Sequence, residues 1–456
     1  MGVQNTVGAE SYGLYLALFN FSLIFSIILD LGITNFNNKN IAQNNQILSK
    51  HLSNIVTIKF LLAIVYTIIT ISIAFAIGWK SVKIHLLLFL IFNQFLSSFI
   101  LYLRSNISGL HLFKTDSMIS VLDKILMIIF VGYLLLNPET NQKGVFKIEW
   151  FIYSQTLAYL STLVITFLIL FKKLDFFKIR FDRTFFIAFF KQSYPYALLI
   201  LLMSFYNRVE PIMLERLLPE PIGASQAGIY AQAYRILDAS SQFSMLFAAL
   251  LLPMFAKMIK QKEEVGKLVQ LSFSLIITPA LILAILSFFY SSEIMNLMYH
   301  EHIDVSAKLL GVLMLGFVFI STTYIFGTLL TANGSMKQLN IMASFGMLFN
   351  IGINFYLIPN FMAEGASYSS LLTQGITAFI QVFIAYKIFN FKINFLYLLK
   401  LSAFILVIIA LGYFSKQIST DWKLNIMIFV AGSGILAFAT KLISIKALYR
   451  IIKYDE

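Results

Sequence analysis

The sequence contains no cysteine. That absence excludes a disulfide framework, thiolate chemistry and any Cys-ligated metal site. Charge is scarce too: Asp, Glu, Lys and Arg make up 12% of the 456 residues, where a soluble globular domain carries about a quarter. No Gly-rich phosphate loop of the P-loop type occurs, so the chain does not hydrolyse ATP itself. The five histidines, His51, His85, His111, His300 and His302, are scattered. His300-Glu301-His302 is the densest group, and it lacks the third ligand a zinc site needs. No polar stretch is long enough to hold a soluble domain. Whatever this protein does, it does within an apolar medium or at the faces of one.

Apolar residues are what the chain has in excess: 59% of it, with mean hydropathy +0.83. A water-soluble core cannot absorb that excess, because a chain of this size must still cover a large surface with polar groups. Lipid can, and a helix needs about 20 apolar residues to span it. Such stretches fall at 12–33, 53–78, 84–104, 116–136, 148–171, 191–214, 227–256, 267–290, 306–331, 338–358, 365–388, 395–414 and 424–443. The pattern predicts an all-α polytopic membrane protein with about thirteen transmembrane helices. The 46 phenylalanines and 22 tyrosines suit lipid-facing surfaces and interfacial anchors. The longest link, 172–190, reads as an interfacial amphipathic segment.

The net charge of +13 could point to nucleic acid. The basic residues are instead spread between apolar runs, and membrane topology accounts for them. If sides alternate from a cytoplasmic loop after the first span, 22 Lys and Arg fall inside, 7 outside and 5 within spans. This bias places the C-terminus in the cytoplasm.

An internal repeat is visible. Residues 8–19 read GAESYGLYLALF and residues 223–234 read GASQAGIYAQAY. At an offset of 215, Gly8, Ala9, Gly13 and Tyr15 recur as Gly223, Ala224, Gly228 and Tyr230. A weaker echo pairs Asn106–Gly109 with Thr331–Gly334. The copies are separated by an even number of spans, so the repeat is parallel, about an axis along the membrane normal. The expected organisation is an N-terminal lobe at 1–171, the linker at 172–190, a C-terminal lobe at 191–389, and two further helices with a tail at 390–456. Span 191–214 precedes the second copy, and its counterpart would lie before Met1.

The segments that carry the repeat also carry a family likeness. GAESYGLYLALFNFSLIFSIILDLGI, KQSYPYALLILLMSFYNRVEPIML, AGIYAQAYRILDASSQF and LLTANGSMKQLNIMASFGMLFNIGINFYLIPNFMAEGASYSSLLTQ resemble the second, seventh, eighth and tenth to twelfth helices of polysaccharide-unit (O-antigen type) lipid flippases. These belong to the multidrug/oligosaccharidyl-lipid/polysaccharide exporter superfamily. The likeness runs over nearly the whole chain from Val7. It implies fourteen helices, here minus the first, in two pseudo-symmetric lobes around a central cavity. It also implies alternating-access transport of undecaprenyl-diphosphate-linked oligosaccharide across the bacterial plasma membrane for surface polysaccharide, whether O-antigen, capsule or exopolysaccharide. The partners implied are membrane lipid, the polyprenyl-diphosphate-linked glycan and polysaccharide assembly proteins, with no nucleic acid and no cofactor. The seventh-helix carboxylate, more typically Asp in the family, is Glu210 here, followed by Pro211.

Charges within spans are costly and usually face a bundle interior or a wet cavity. The basic candidates are Lys59, Lys124, Arg208, Arg235 and Lys308; of these, Lys59 and Lys308 lie where they could snorkel to an interface. Arg208 and Arg235 sit deeper, and an Arg fork suits a diphosphate. Read as one helix, Arg208 and Glu210 point some 200° apart. Arg235 and Asp238 have i,i+3 spacing, and Lys124 neighbours Asp123. Asn207, Asn350 and Asn354 complete the candidate cavity, and Glu210, Asp238, Asp123 and Asp30 are its charge partners or ion-coupling groups. The alternative for each is structural: paired charges that lock helices, and amides that join them.

A cation-coupled multidrug exporter and a peptidoglycan-precursor flippase remain alternatives within the superfamily, and a membrane-embedded glycan polymerase outside it. The polymerase would call for a large outer loop, and none exceeds roughly 17 residues. A drug exporter favours acids in the first lobe, which offers only Asp30 and Asp123 within its spans. The repeat also yields a genomic expectation: the reading frame upstream of Met1 encodes another apolar helix. An immediate in-frame stop with no hydrophobic coding sequence would refute it.

Overall fold

A computed structural model of the chain describes residues 1–34, 37, 41, 46, 48–137, 145–173, 183–392 and 394–443. Of the expected interfacial segment 172–190, residues 174–182 lie outside the described residues, as does the tail from 444. Every regular element among the described residues is helical, as expected of backbone that must satisfy its own polar groups in lipid. In chain order the helices are α1 (Gly2–Phe25), running on as a 3₁₀ turn Ser26–Leu29, α2 (Leu48–Ala76), α3 (Ser81–Gly109), α4 (Phe113–Leu136), α5 (Ile148–Phe171), α6 (Arg183–Arg208) and α7 (Glu210–Leu217). Then come α8 (Ile222–Lys260), α9 (Gly266–Phe289), α10 (Ser291–Met298), α11 (Ile303–Ala332), α12 (Met336–Phe389), α13 (Phe395–Ser415) and α14 (Trp422–Ala439).

Eleven of these are long and apolar enough to cross a membrane, and α6 with α7 forms a further span bent by 52°. The thirteenth is hidden in α12. As a straight rod, its 54 residues would run ~80 Å, against a hydrocarbon core of about 30 Å. It is a hairpin. Met362 interrupts the helix at φ 51, ψ −131, and Asn350 Nδ2 donates to Thr373 Oγ1 at 3.1 Å. Residues 23 apart in one straight helix would be about 35 Å apart. The two arms match the expected spans 338–358 and 365–388.

The surface is turned inside out relative to a soluble protein. Asn20, Thr162, Asn350 and Gln381 are buried, while Phe379 is 70% exposed, Ile435 70% and Leu136 83%. Large apolar side chains facing outward along spanning helices mean that lipid is the solvent.

The helices gather into two compact units, Gly2–Gly228 and Ile229–Glu456. In the first, Leu52, Ile55, Tyr102, Leu103 and Ile107 build a core between α2 and α3. In the second, Ile277, Ile285, Phe404, Ile408 and Phe429 join α9 to α13 and α14.

The repeat has a physical purpose inside the first unit, whose last residues open α8. A Cβ on Gly13 would lie 1.8 Å from the carbonyl oxygen of Ala224, and a Cβ on Gly228 would lie 1.9 Å from that of Ala9. Ala9 and Gly13 correspond to Ala224 and Gly228 at the offset of 215, so each copy's glycine rests on the other copy's alanine. That exchange is the mark of a two-fold contact. Each copy is a small-xxx-small pair, which lets two helix backbones touch where lipid supplies no hydrophobic drive. Gln4 Nε2 adds a hydrogen bond to the Gly228 carbonyl at 2.7 Å.

The weaker echo is out of register. His111 (φ 58) and Gly334 (φ 75) are the left-handed residues after α3 and α11. Leu112 N–H reaches back to the Ile107 carbonyl, and Ser335 N–H to that of Leu330. These paired helix terminators stand 223 apart, two residues off the match between Asn106–Gly109 and Thr331–Gly334.

Gly13→Ala and Gly228→Ala should each lower the thermal stability of the detergent-purified protein by about 1–3 kcal/mol, since the added carbon meets backbone. Gly132 lies within α4 with open space at its Cβ position, and Gly132→Ala should raise stability by about 0.5–1 kcal/mol through helix propensity. Equal shifts at all three positions, read by intrinsic fluorescence on heating, would show that the crossing does not depend on the missing side chain.

Candidate functional site

Each charge or amide placed in lipid needs a partner, and the first unit brings two sequence-distant candidates together. After the 3₁₀ turn the chain reverses through Leu31 (φ 47) and Gly32 (φ 85), which turns backbone N–H groups away from any helix. Asp30 collects them. Its carboxylate accepts from Gly32 N at 3.1 Å and Thr34 N at 3.3 Å, and from the Thr34 hydroxyl. Lys59 then arrives from α2, donating to Asp30 Oδ1 at 2.7 Å, to the Leu29 carbonyl at 2.9 Å and to Ser98 Oγ at 3.0 Å. Three acceptors meet the three donors of an ammonium. The side chain is 1% exposed, against 27% for Asp30. Lys59 therefore does not snorkel, as its place in the sequence allowed. It closes a buried ion pair between two helices.

Arg208 ends α6. Pro211 offers no N–H to the carbonyl four residues back, that of Asn207, and its ring disfavours a continuous helix there. Ile212 N–H turns to the Val209 carbonyl at 3.0 Å, and the axis bends. The sequence reading of one continuous span at 191–214 is corrected here, and with it the 200° separation of Arg208 from Glu210. The two residues flank a break, with Arg208 in the last turn of one helix and Glu210 in the first turn of the next. Each charge complements the dipole of its own helix end. Asn20 of α1 donates to its own helix at Leu16, which leaves its carbonyl oxygen to accept from Arg208 at 3.3 Å. Half-buried Asn207 precedes Arg208 at the same break.

The other candidates are dispersed. On α4, Lys124 pairs with its neighbour Asp123 and is 62% exposed. In the second unit, Arg235 lies beside the hydroxyl of Tyr299, the residue that caps α10, and Asp238 follows one turn on along α8. Asn350 and Asn354 are fully buried inside the α12 hairpin. Asn354 donates to the Asn350 side-chain oxygen at 3.1 Å, and Asn350 donates across to the second arm. They join the two arms of the hairpin. Lys308 is exposed and lies 3.6 Å from Glu364.

One cluster escaped the sequence reading. Glu215, 3% exposed, accepts from Trp79 Nε1 at 2.9 Å and Lys83 Nζ at 2.5 Å, and Lys83 also pairs with Glu220. Lys83 holds the exposed Glu220 carboxyl below its ordinary range, by its hydrogen bond and then its charge. This cluster ties the turn between α2 and α3 to α7. The available signal was Pro211: a break there extends the helical chain past Leu214 and brings Glu215 into structure. Among the described residues, no group of three or more His, Asp or Glu converges as a metal site.

The model of the polysaccharide biosynthesis protein family matches residues 2–259. The chain belongs to that family. No curated protein matches it by sequence, and its solved likenesses are distant. A lipid II flippase, MurJ, in an inward closed conformation is 14% identical with a TM-score of 0.67, covering 95% of this chain and 97% of its own. An inward-facing multidrug resistance MATE transporter of the MOP superfamily is 15% identical with a TM-score of 0.62, covering 85% and 93%. A MOP superfamily transporter from Pyrococcus furiosus is 17% identical with a TM-score of 0.57, covering 85% and 90%. At these identities the likeness establishes the fold, and the fold of this polysaccharide biosynthesis family member is that of the MOP-superfamily transporters. The family match spans Asp30, Lys59, Asp123, Lys124, Asn207, Arg208, Glu210, Arg235 and Asp238, while Asn350 and Asn354 fall beyond it.

The Asp30–Lys59 pair predicts an asymmetry. Asp30→Ala strands an ammonium in a dry site and should cost about 3–5 kcal/mol. Lys59→Met leaves a carboxylate that is part exposed and still bonded to backbone, so it should cost distinctly less. Lys59→Met added to Asp30→Ala should recover part of the loss. A double-mutant cycle on thermal stability measures this, and strict additivity would remove the pair from the account.

Proposed function

We propose that this protein flips undecaprenyl-diphosphate-linked oligosaccharide units across the bacterial plasma membrane for surface polysaccharide assembly, by alternating access between an N-terminal lobe at 1–171 and a C-terminal lobe at 191–389. The observation that carries this reading is Arg208, a guanidinium fixed by Asn20 at the break of a spanning helix. Broken spans are where membrane transporters place their ligand sites, because helix ends offer dipoles and side chains at depth. Placing a guanidinium at such depth costs about 2.5–3.5 kcal/mol even on lenient scales, and a phosphate-binding role accounts for that cost. A planar fork matches a diphosphate. Family membership in polysaccharide biosynthesis and a fold shared with a lipid II flippase support the same substrate chemistry.

In this reading Arg208 contacts the diphosphate in the outward half of the cycle. Arg235 offers a second guanidinium, and Asn207, Lys124, Asn350 and Asn354 have subordinate parts. Lys59 serves with Asp30, as an ion-coupling or locking pair rather than a substrate contact, and Glu210, Asp238 and Asp123 are charge partners. The C-terminus is cytoplasmic, from the Lys and Arg bias. An inside-negative potential assists outward movement by roughly 2.3 kcal/mol per anionic charge per 100 mV. The likeness to a multidrug resistance transporter supports a second reading, a cation-coupled multidrug exporter.

Arg208→Ala should leave membrane insertion intact and reduce glycan export in a flippase-null strain, and Arg208→Lys should restore only part of it. Export at the wild-type level by Arg208→Ala, with equal protein in the membrane, removes the main support for a cationic site. Drug resistance without glycan export would favour the second reading, and rescue of a strain lacking its peptidoglycan-precursor flippase would redirect the substrate assignment.

A further inference from the structure

In the second unit, three helix ends enclose a pocket of about 340 Å³. Lys267 comes from the first turn of α9, Lys400 from the second turn of α13, and Lys441 from just beyond the end of α14. Among the described residues no acidic side chain lines it; Glu263 and Glu264 precede α9 without reaching the lining. The three lysines are exposed at the pocket, and their like charges favour an anion among them. The amide dipoles agree with the lysines. Both α9 and α13 begin at this pocket; Asn394 Oδ1 caps the start of α13, accepting from Tyr397 N at 3.0 Å, while Val265 at the start of α9 supplies no side-chain cap. Ser274 Oγ donates to the Tyr397 hydroxyl at 2.8 Å, which turns the phenol's own proton toward a further acceptor. Asn394 contributes an amide at the rim.

The surroundings choose between anions. Phe395 is 76% exposed, Leu396 64% and Leu399 68%, all on the first turns of α13 beside Lys400. A cationic, hydrogen-bonding pocket at the end of spanning helices, continuous with bare apolar side chains, fits a ligand with a phosphate at one end and acyl chains at the other. We propose that this pocket binds the phosphodiester headgroup of an anionic phospholipid, in the leaflet that meets the starts of α9 and α13. Under the orientation proposed above, that is the cytoplasmic leaflet, where basic pockets between helices meet anionic lipid. The inference does not depend on which substrate the protein moves.

Native mass spectrometry of the detergent-purified full chain tests this with three probes: phosphatidylglycerol, phosphatidylcholine and inorganic phosphate. The wild type should retain one phosphatidylglycerol at least about tenfold more readily than phosphatidylcholine, given the attraction of three lysines. The triple variant Lys267→Gln, Lys400→Gln, Lys441→Gln should bind both lipids alike. The matching triple Lys→Arg variant, and Lys337→Gln at an exposed position outside the pocket, should keep the preference. If the triple Gln variant is not monodisperse, each single variant is read instead, and each should lose part of the preference. Undiminished preference in the Gln variants overturns the proposal. So does displacement of phosphatidylglycerol by millimolar inorganic phosphate, which would make this a site for free anions.

Discussion

Lipid offers no hydrogen bond, and the structure follows from that constraint. A helix answers it along its length but fails wherever it stops, bends or reverses. At three such places side chains stand in for the lost regularity. At the reversal through Leu31 and Gly32, Asp30 takes the released N–H groups and so acquires a charge that Lys59 must balance. Where α6 breaks before Pro211, an Arg and a Glu sit on the helix ends whose dipoles they complement. Where α12 folds back at Met362, Asn350 and Thr373 join the arms. At these three places polar residues mark the failures of regular backbone, and functional polarity is built on top of that.

This explains what could be read from the amino acids and what could not. Spans were legible because hydropathy is a local property with a fixed length scale. The repeat was legible because its glycines are held by backbone contact, and no other residue fits 1.8 Å from a carbonyl oxygen. The break at 209 carried a signal, Pro211, that the apolar run on either side obscured. The Glu215 cluster joins residues 132 and 136 apart in sequence and has no local pattern at all. The Asn106–Gly109 echo misled by two residues, because helix stop signals tolerate several residue types while the left-handed position that defines them is geometric.

The buried charges divide by how they are held. Lys59 is saturated: three acceptors surround its three donors, and its side chain is buried. Such a group can lock two helices or move a proton within its own pair, but it has little to offer a passing ligand. Arg208 is different in kind. A guanidinium presents five N–H donors in a plane, and its contact with Asn20 is long, at 3.3 Å, with a neutral amide oxygen. A neutral acceptor such as the Asn20 amide orients the guanidinium without itself neutralising it.

The repeat gives that distinction a second use. At the offset of 215 that matches Gly13 to Gly228, Asn20 corresponds to Arg235. In the first copy the position holds an amide that receives a guanidinium from another helix; in the second it holds the guanidinium itself. Likewise Leu23 stands where the second copy has Asp238, and Met245 stands where the first has Asp30. The two copies therefore share a backbone crossing while differing in the charged residues each carries. A crossing that fails with any added carbon is constrained to stay the same in both copies. The charged positions carry no such constraint, so one duplicated helix can serve two chemically unequal copies.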